Sequence, residues 1–218
     1  MSFNEGSGLI ATGVSGNGNS GTLANSPTWV GGITGWALNF GGGDASVSIP
    51  NSSLFDFGTG DFSFSSWIKP SSIGTYNTIA EIGLYTAGIL IRPGTSEFLQ
   101  VYLQGVGYTS QFPFTMVVDN WYHVVVLRDS ALLKVYINTI QSGAVGSTDN
   151  IAVNSVGYIG RSAHTTGQNF LGIIDDVRIY NRALSVAEIE QLYEIELNSK
   201  VKLYKDGVVY TRSVNELI

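Results

Sequence analysis

The chain of 218 residues contains no cysteine. Disulfide cross-links, thiol nucleophiles and thiolate metal ligands are therefore excluded, because each of them needs a cysteine side chain. Charged residues are also scarce, at 13% of the chain, and the formal net charge is −6. Because an acidic protein repels phosphate backbones, we expect no nucleic-acid partner.

Long apolar segments are missing as well. No stretch approaches the roughly 18 consecutive apolar residues that a membrane-spanning helix needs, so we expect no membrane insertion. The N-terminal segment, MSFNEGSGLI, has neither the basic start nor the apolar core of a secretory signal. We therefore expect that this chain carries no signal peptide.

Apolar residues make up 44% of the chain, and glycine occupies 27 positions. Short alternating or apolar segments recur, and turn clusters such as GGGD, SSIG, RPGTS and NTIQSG separate them. Strands at this density, without helices between them, predict an all-β domain built as a two-sheet antiparallel sandwich. The predicted strands are residues 36–40, 45–49, 62–68, 78–82, 88–92, 98–104, 121–128, 132–138, 155–160 and 172–180.

One segment changes its period. Within DDVRIYNRALSVAEIEQLY, which starts at Asp175, the strand alternation gives way to apolar residues at helical spacing. Ser185 is placed to cap a helix, and Glu188 completes an S-x-x-E capping box. Leu184 and Ile189 are spaced to form the hydrophobic staple that often accompanies such a cap. These signals predict one short C-terminal helix over about residues 186–194.

The last segment lies outside the sandwich pattern. Two apolar runs flank the sequence KDG at residues 205–207, and Asp-Gly is a strong signal for a hairpin turn. We predict a main domain over residues 1–197, followed by a hairpin extension or linker over residues 198–218. The hairpin is a candidate contact for a homo-oligomer.

Six motifs, taken in order, give the chain a resemblance to a known family. It resembles the laminin-G-like, concanavalin A-like jelly-roll domains, in the branch common in bacterial and phage proteins. The resemblance implies a jelly roll in which the helix after the last strand packs against the sandwich and closes its edge. The motifs are FNEGSG (3–8), resembling the opening strand, SGNGNSGTL (15–23), GWALNFGGGDASVSIP (35–50), FSFSSWIKP (62–70), NWYHVVVLRD (120–129) and, most specific, FLGIIDDVRIYNRALSVAEIEQLY (170–193).

The same resemblance implies a metal site. Some relatives bind a structural Ca²⁺ between the Asn/Gly loop and an aspartate of the closing strand, and calcium takes about six to eight oxygen ligands. The chain has Gly13 where relatives often have aspartate, and one carboxylate fewer weakens such a site. The alternative is an aspartate pair that only hydrogen-bonds the neighbouring loop. The candidate ligands are Asp175, Asp176, Asn17 and Asn19.

Two polar surfaces are candidates for binding a sugar, which needs an aromatic platform and planar polar side chains. On the first, Gln100, Tyr102 and Gln104 share one face of a predicted strand, and Tyr136 is predicted to contribute to the same surface. An ordinary strand surface is the alternative there, because strands favour tyrosine in any case. The second surface is the polar loop of residues 161–169, with Arg161 and His164 as its candidate ligand-binding residues.

We expect no catalysis, because no strand carries paired carboxylates at the spacing of a glycosidase and no nucleophile has a recognisable base beside it. Two functions fit the sequence. One is a non-catalytic adhesion module that binds glycans or a cell surface. The other is a phage virion structural protein, such as a capsid decoration, fibre or tail component, that contacts other virion proteins. Both imply a location outside the cell or on a virion surface, and both rest partly on resemblance.

If the C-terminal hairpin is the oligomer contact, deletion of residues 199–218 will leave a folded monomer. Weak single sites need several copies for useful adhesion, so the truncated chain will also lose surface binding. Size-exclusion chromatography with light scattering measures the assembly state, and circular dichroism controls for folding. A truncated protein that keeps the full assembly state contradicts the assignment.

Overall fold

The computed structural model describes residues 1–73, 77–83, 88–95, 97–103, 110–153, 155–164, 167–198, 202–205 and 208–211. Over these residues the chain is almost entirely β-structure, with one α-helix near its C-terminal end. Within the same residues, no helix combines the length and the apolar character needed to cross a membrane.

The strands of the described chain form two antiparallel sheets, one of eight strands and one of seven. In chain order the strands are β1 Ile10–Ala11, β2 Gly21–Ala24, β3 Thr28–Gly31, β4 Trp36–Gly41, β5 Ser46–Ile49, β6 Phe62–Pro70, β7 Ala80–Ile82, β8 Ile89–Thr95, β9 Phe98–Leu103, β10 Ser110–Pro113, β11 Tyr122–Asp129, β12 Leu132–Ile137, β13 Ile140–Gly146, β14 Gly157–Ile159 and β15 Leu171–Tyr180. The eight-stranded sheet has the order β1-β2-β5-β14-β7-β8-β9-β10, and the seven-stranded sheet has the order β13-β12-β11-β6-β15-β4-β3. The all-β, two-sheet jelly-roll prediction is thereby confirmed.

The two sheets enclose a single apolar interior. Strands alternate, so every second side chain of a strand points inward, and these inward positions are apolar. The largest buried side chains include Phe40, Phe62, Phe64, Phe112 and Phe170. A fully buried side chain of this size stabilises the fold by about 1.5–3 kcal/mol, so the interior is the main source of stability.

All ten predicted strands are present, and the structure adds five that the sequence pattern missed, β1, β2, β3, β10 and β13. Four of these five are the edge strands of the two sheets. Residues 140–143, the second part of the predicted turn cluster NTIQSG, belong to β13, and that strand is mostly exposed. An edge strand with little burial has no reason to alternate, which explains the error. The motif at residues 3–8 is also not the opening strand, because the first strand begins at Ile10.

Side-chain contacts connect the edge strands of the two sheets on both sides of the sandwich. On one side, the Ser142 hydroxyl of β13 donates to the Pro113 carbonyl of β10, and the Phe112 ring lies against Gly143. On the other side, the Trp29 indole N–H of β3 donates to the Gly8 carbonyl just before β1, at 3.0 Å. These contacts tie the sheets together at their edges, while β13 itself stays mostly exposed.

The helix α1 spans Val186–Asn198, which is longer than predicted at its C-terminal end. The predicted capping box is confirmed: the Ser185 hydroxyl accepts from the Glu188 N–H at 3.3 Å, and Glu188 Oε2 accepts from the Ser185 N–H at 2.9 Å. Leu184 and Ile189, the predicted staple, are both buried in one small apolar cluster. The start of the helix is therefore fixed by its own local sequence.

The helix lies on the outer face of the seven-stranded sheet, not at its edge. Its apolar side packs on Val125, Leu127 and Tyr136 of β11 and β12, and β11 lies in the interior of the sheet. The expectation that the helix closes a sheet edge is therefore wrong. The helix has to cover this face because the outward side chains of β11 are themselves apolar.

A stacked aromatic cluster lies beneath the helix. The Tyr193 ring of α1 stacks on Trp67 at 5.3 Å, and Trp67 contacts the His123 ring at 5.1 Å. His123 is only 1% exposed, and its Nε2 is 2.8 Å from the Ser65 hydroxyl. Burial, with a smaller effect from the Arg178 charge, lowers the pKa of His123 to about 4.

Arg128 is a fully buried cation that holds two loops to the sheet. Its guanidinium donates to the carbonyls of Gly60, Gly58 and Asp149 at 2.6–2.7 Å, and it lies over the Phe62 ring. Three backbone acceptors satisfy donors that burial would otherwise leave unpaired. Arg128 therefore has a structural role in loop placement.

The C-terminal hairpin is present, as β16 Lys202–Lys205 paired antiparallel with β17 Val208–Thr211. Its strand boundaries match the prediction within one residue. The division into a domain of residues 1–197 and an extension of residues 198–218 stays a prediction.

The buried His123 predicts a loss of stability in mild acid. Its folded-state pKa of about 4 lies below the ordinary value of 6.5, so the unfolded chain binds the proton first as pH falls. The free energy of unfolding will therefore decrease between about pH 6.5 and pH 4, by about 2–3 kcal/mol at pH 4.5. Urea denaturation at neutral pH and at about pH 4.5 measures this.

The matched variants are His123→Gln, which removes the titrating group, and His164→Gln, which removes an exposed histidine. We expect the pH-dependent loss to shrink in the first variant and to persist in the second. Equal losses in both variants would show that another group titrates.

Candidate functional site

The outer face of the eight-stranded sheet carries polar side chains where β8 and β9 pair. Alternation sends Ile89, Ile91, Leu99, Val101 and Leu103 into the core. The opposite parity brings Arg92 beside Gln100 and Leu90 beside Tyr102 across the two strands. The strand that we predicted to carry a binding face therefore does turn Gln100 and Tyr102 away from the core.

Arg92 connects the side chains of this face, although only 6% of its own surface is exposed to solvent. Its Nε donates to Gln100 Oε1 at 3.1 Å, and its two terminal nitrogens donate to the Tyr102 hydroxyl and to Gln168 Oε1, both at 2.5 Å. The guanidinium also lies 4.6 Å from the centre of the Tyr102 ring. One cation thus fixes two side chains of a strand and one of a loop.

That loop begins where β14 ends, at Gly160. Gly160 has a φ of +88°, and a side chain there would collide with the Phe40 ring, so the turn requires glycine. The loop folds back on itself, with the Phe170 N–H donating to Gly160 at 2.7 Å and the Ser162 N–H to Gln168 at 3.0 Å. Arg161 and Asn169 form an isolated bridge between its two arms.

Glu81 of β7 anchors the loop from below. This glutamate is fully buried, and its Oε2 accepts from the Ser162 hydroxyl at 2.7 Å and from the Ala163 N–H at 2.8 Å. Its Oε1 is buried and has no hydrogen-bond partner among the described residues. The buried carboxylate therefore has a clear role in holding the loop, and it offers one further acceptor.

Tyr158 of β14 lies directly beside Glu81 in the sheet register. The Arg161 guanidinium covers the Tyr158 ring at 4.2 Å from its centre. Two arginine–tyrosine pairs thus lie on the same outer face, one within the sheet and one between sheet and loop. We define the Arg92 surface as Arg92, Gln100, Tyr102, Tyr158, Arg161 and Gln168.

The structure joins the two candidate surfaces into one. Gln100 and Tyr102 of the predicted strand face are linked through Arg92 to Gln168, which lies in the loop that carries Arg161. His164 is exposed on the same loop, where its N–H donates to the Ser162 hydroxyl at 3.1 Å. Gln104 lies outside the described residues.

Tyr136 does not share this surface, and our expectation that it does is wrong. It belongs to β12 of the seven-stranded sheet, on the other side of the sandwich. It is 7% exposed, packs beneath α1, and donates its hydroxyl proton to Gln141 at 2.9 Å. Alternation within one strand cannot tell which sheet the strand joins, and that is the source of the error.

Three residues of the site escaped the sequence analysis: Arg92, Glu81 and Tyr158. Each lies in a short strand whose other residues are mostly apolar, ILIR, AEI and GYI. For Arg92 and Glu81, a charged residue inside an apolar strand was the available signal, because charge is seldom buried without a specific partner. Tyr158 gave no such signal, since strands favour tyrosine.

A family model described as the Concanavalin A-like lectin/glucanases superfamily matches residues 41–190. The chain belongs to this superfamily. The match covers most of the sandwich, including every strand that supplies the Arg92 surface. Comparison with curated proteins gives no match.

Solved structures share the superfamily fold at low sequence identity. Domain 4 of AbnA, an extracellular arabinanase from Geobacillus stearothermophilus, in complex with arabinotriose, is 21% identical with a TM-score of 0.67, covering 83% of this chain and 91% of that one. The binding domain of Paraclostridial Mosquitocidal Protein 1 is 16% identical with a TM-score of 0.70, covering 85% and 51%. Trypanosoma rangeli sialidase is 17% identical with a TM-score of 0.63, covering 87% and 32%. This chain therefore spans about half of the mosquitocidal protein structure and about a third of the sialidase. The similarity to all three structures is one of fold.

The calcium site implied by the superfamily resemblance has a poor donor set in this chain. Asp175 is buried, and its two oxygens accept the N–H groups of Asp176 and Ile33 at 2.7 and 2.9 Å. Both oxygens of Asp176 accept from Arg178 Nε, at 2.9 and 2.7 Å. These carboxylates thus face N–H donors and a cation, which do not fit a hard divalent ion.

The two asparagines do not complete such a site. Asn19 and Asp176 border the same cavity of about 270 Å³, between the N-terminal loop and β15. Asn17 lies on the exposed part of the loop, where its N–H is 3.5 Å from the Ser15 hydroxyl. In the described part of the chain, no three His, Asp or Glu side chains converge in a way that could hold a metal.

Calcium binding stays a prediction of the resemblance. The contacts of Asp175 and Asp176 predict the opposite, that this chain binds no calcium. Melting temperatures in millimolar calcium and in EDTA will be equal, because a ligand stabilises the fold only if it binds the native state. Differential scanning fluorimetry with a magnesium control measures this. If calcium raises the melting temperature and the variant Asp176→Asn abolishes that increase, the metal site is established instead.

Proposed function

We propose that this domain is a non-catalytic glycan-binding module and that the Arg92 surface is its binding site. The observation that carries the proposal is the Arg92 cluster itself, in which one buried guanidinium holds Gln100, Tyr102 and Gln168 in fixed positions. A binding site gains affinity when its groups are ordered before the ligand arrives.

The chemistry of this surface suits a sugar. Sugar rings present hydroxyl groups, which pair with planar amide and guanidinium groups, and apolar C–H faces, which stack on aromatic rings. The surface offers the partly exposed amide of Gln168 and the partly exposed rings of Tyr102 and Tyr158, while the buried Gln100 holds Arg92 in place. Both rings are held against arginines, at 4.6 and 4.2 Å, so little side-chain freedom remains to be lost on binding.

The comparisons support a binding role. Domain 4 of AbnA corresponds to this chain over 91% of its length, and its structure is a complex with arabinotriose. The mosquitocidal protein region is a binding domain. The sialidase is an enzyme, but this chain spans only 32% of it. Carbohydrate binding is the property that we carry over to this chain as a proposal.

The environment of the carboxylates favours binding over hydrolysis. A glycosidase uses two carboxyl groups about 5–10 Å apart, both free to act on the scissile bond. Glu81 holds the loop, Asp175 accepts two backbone N–H groups, Asp176 pairs with Arg178, and Glu188 caps α1 and pairs with Arg182. These four carboxylates have structural partners, and a catalytic pair among them would have to break those contacts.

The location outside the cell or on a virion surface stays a prediction, as does a role among virion proteins. A single site of this kind gains about 1 kcal/mol from each stacked ring, so we expect weak binding by one domain. Several linked copies would bind far more tightly without new contacts. The experiment below therefore displays the domain in clusters.

Tyr102→Ala will weaken glycan binding, because it removes a stacking ring and one acceptor of Arg92. The expected loss is about 1–2 kcal/mol, or roughly 5- to 30-fold in affinity. The measurement uses the biotinylated domain clustered on streptavidin and applied to a glycan array, followed by calorimetry with the best-bound glycan.

Tyr180→Ala is the matched control, since Tyr180 also lies beside an arginine, Arg182, but on the seven-stranded sheet. Its binding should equal that of the unmodified domain. Loss of binding in the control with none in Tyr102→Ala would move the site to the other sheet. A clustered domain that binds no glycan would refute the proposed function.

A further inference from the structure

Arg161 differs from the other arginines whose side chains the structure describes. Its Nε is buried and has no hydrogen-bond partner among the described residues, and no ion pair or hydrogen bond of its guanidinium is found there. The other four have acceptors: Arg92 has Gln100, Gln168 and Tyr102, Arg128 has three carbonyls, Arg178 has Asp176, and Arg182 has Glu188.

This guanidinium is nevertheless held in place. Its guanidinium carbon lies over the Tyr158 ring, 4.2 Å from the ring centre, and its backbone pairs with Asn169 across the loop. The loop itself is tied down by Glu81 at Ser162 and Ala163. A fixed planar fork of N–H donors without acceptors is the arrangement that recognises a carboxylate through two parallel hydrogen bonds.

The local charge also favours an anion. Arg92 and Arg161 place two guanidinium groups on one face, on a chain whose formal net charge is −6. Arg161 therefore forms a positive position on an otherwise acidic protein, which steers an anionic group to this place.

A group that can bind hydroxyls lies on the same loop. Gln168 is partly exposed, and Arg92 holds its side-chain oxygen in place. A donor fork near a side-chain amide is complementary to a group that carries both a carboxylate and hydroxyls. An acidic sugar has both, whereas a simple carboxylic acid or a neutral sugar has one of them.

We propose that Arg161 recognises the carboxylate of an acidic sugar residue, so that the domain prefers acidic glycans over neutral ones. This inference rests on the proposed glycan-binding function and adds the class of ligand. Arg92 holds the side chains of the surface in place, and Arg161 binds the carboxylate of the ligand.

The test uses pairs of probes that differ only in the acid group: oligogalacturonate against its methyl ester, and sialyllactose against its methyl ester. The clustered domain should bind the acid of at least one pair about 10- to 100-fold more tightly than its neutral partner, as expected for a charge-assisted bidentate pair. Added salt should weaken binding of the acid more than binding of the neutral probe. Equal binding within both pairs would overturn the inference.

Arg161→Gln should remove the preference for the acid, and Arg161→Lys should keep only part of it, because lysine has the charge without the planar fork. Arg182→Gln is the matched control, an arginine beside a tyrosine on the other sheet, and it should keep the full preference. Circular dichroism and melting temperature show whether each variant is folded.

The remaining outcomes separate the two proposals. If the clustered domain binds neutral glycans and Arg161→Gln changes nothing, the inference fails while the proposed function stands. If it binds only sulfated glycans on the array, the anion class is wrong and the carboxylate proposal is overturned. If it binds no glycan of any kind, the proposed function fails, and this inference fails with it.

Discussion

In nearly every interior strand, alternate side chains pack into one apolar layer between the two sheets. This constraint determines where the polar side chains can lie. A strand with period two can send only its other residues outward, so polar chemistry has to lie on the two outer faces. One outer face is apolar at its centre and is covered by α1. The other is polar at its centre, where Ser162, Ala163 and Gln168 of the loop after β14 bond to Glu81 and Arg92. Both sheets thus contribute to the same apolar interior, but their outer faces differ. Only the polar outer face carries the candidate binding site.

At three places an ionisable side chain is buried in the sandwich, and each time hydrogen bonds to neighbouring groups satisfy it. Arg128 is buried against three carbonyls, Asp175 against two N–H groups, and Glu81 against a hydroxyl and an N–H. In each case a buried side chain bonds at least one backbone group of a loop: the Gly60 carbonyl, the Ile33 N–H and the Ala163 N–H. Loops on a β-sandwich are hard to fix by packing alone, because they expose much of their backbone. A buried charge can hold several such groups at once, at the cost of its own desolvation.

The sequence was sufficient for elements that are governed by local rules. The capping box at Ser185 and Glu188 needs only four residues to specify it, and ten strands could be identified from their own alternation or apolar runs. The edge strands escaped because an exposed strand need not alternate. The candidate site was only half predicted: Gln100, Tyr102 and Arg161 were identified, but Arg92, which joins them, was not. Assignment of Tyr136 failed because sheet membership depends on long-range pairing, which no single strand encodes.

The contacts between the edge strands of the two sheets have a consequence for how this domain can be displayed. A protein that acts through many weak contacts must be displayed at high local density, where copies of the chain meet one another constantly. Strand edges that shift freely can then pair between copies. The bonds of Trp29 to Gly8 on one flank and of Ser142 to Pro113 on the other tie an edge strand of one sheet to the opposite sheet, which limits its movement toward a neighbouring copy.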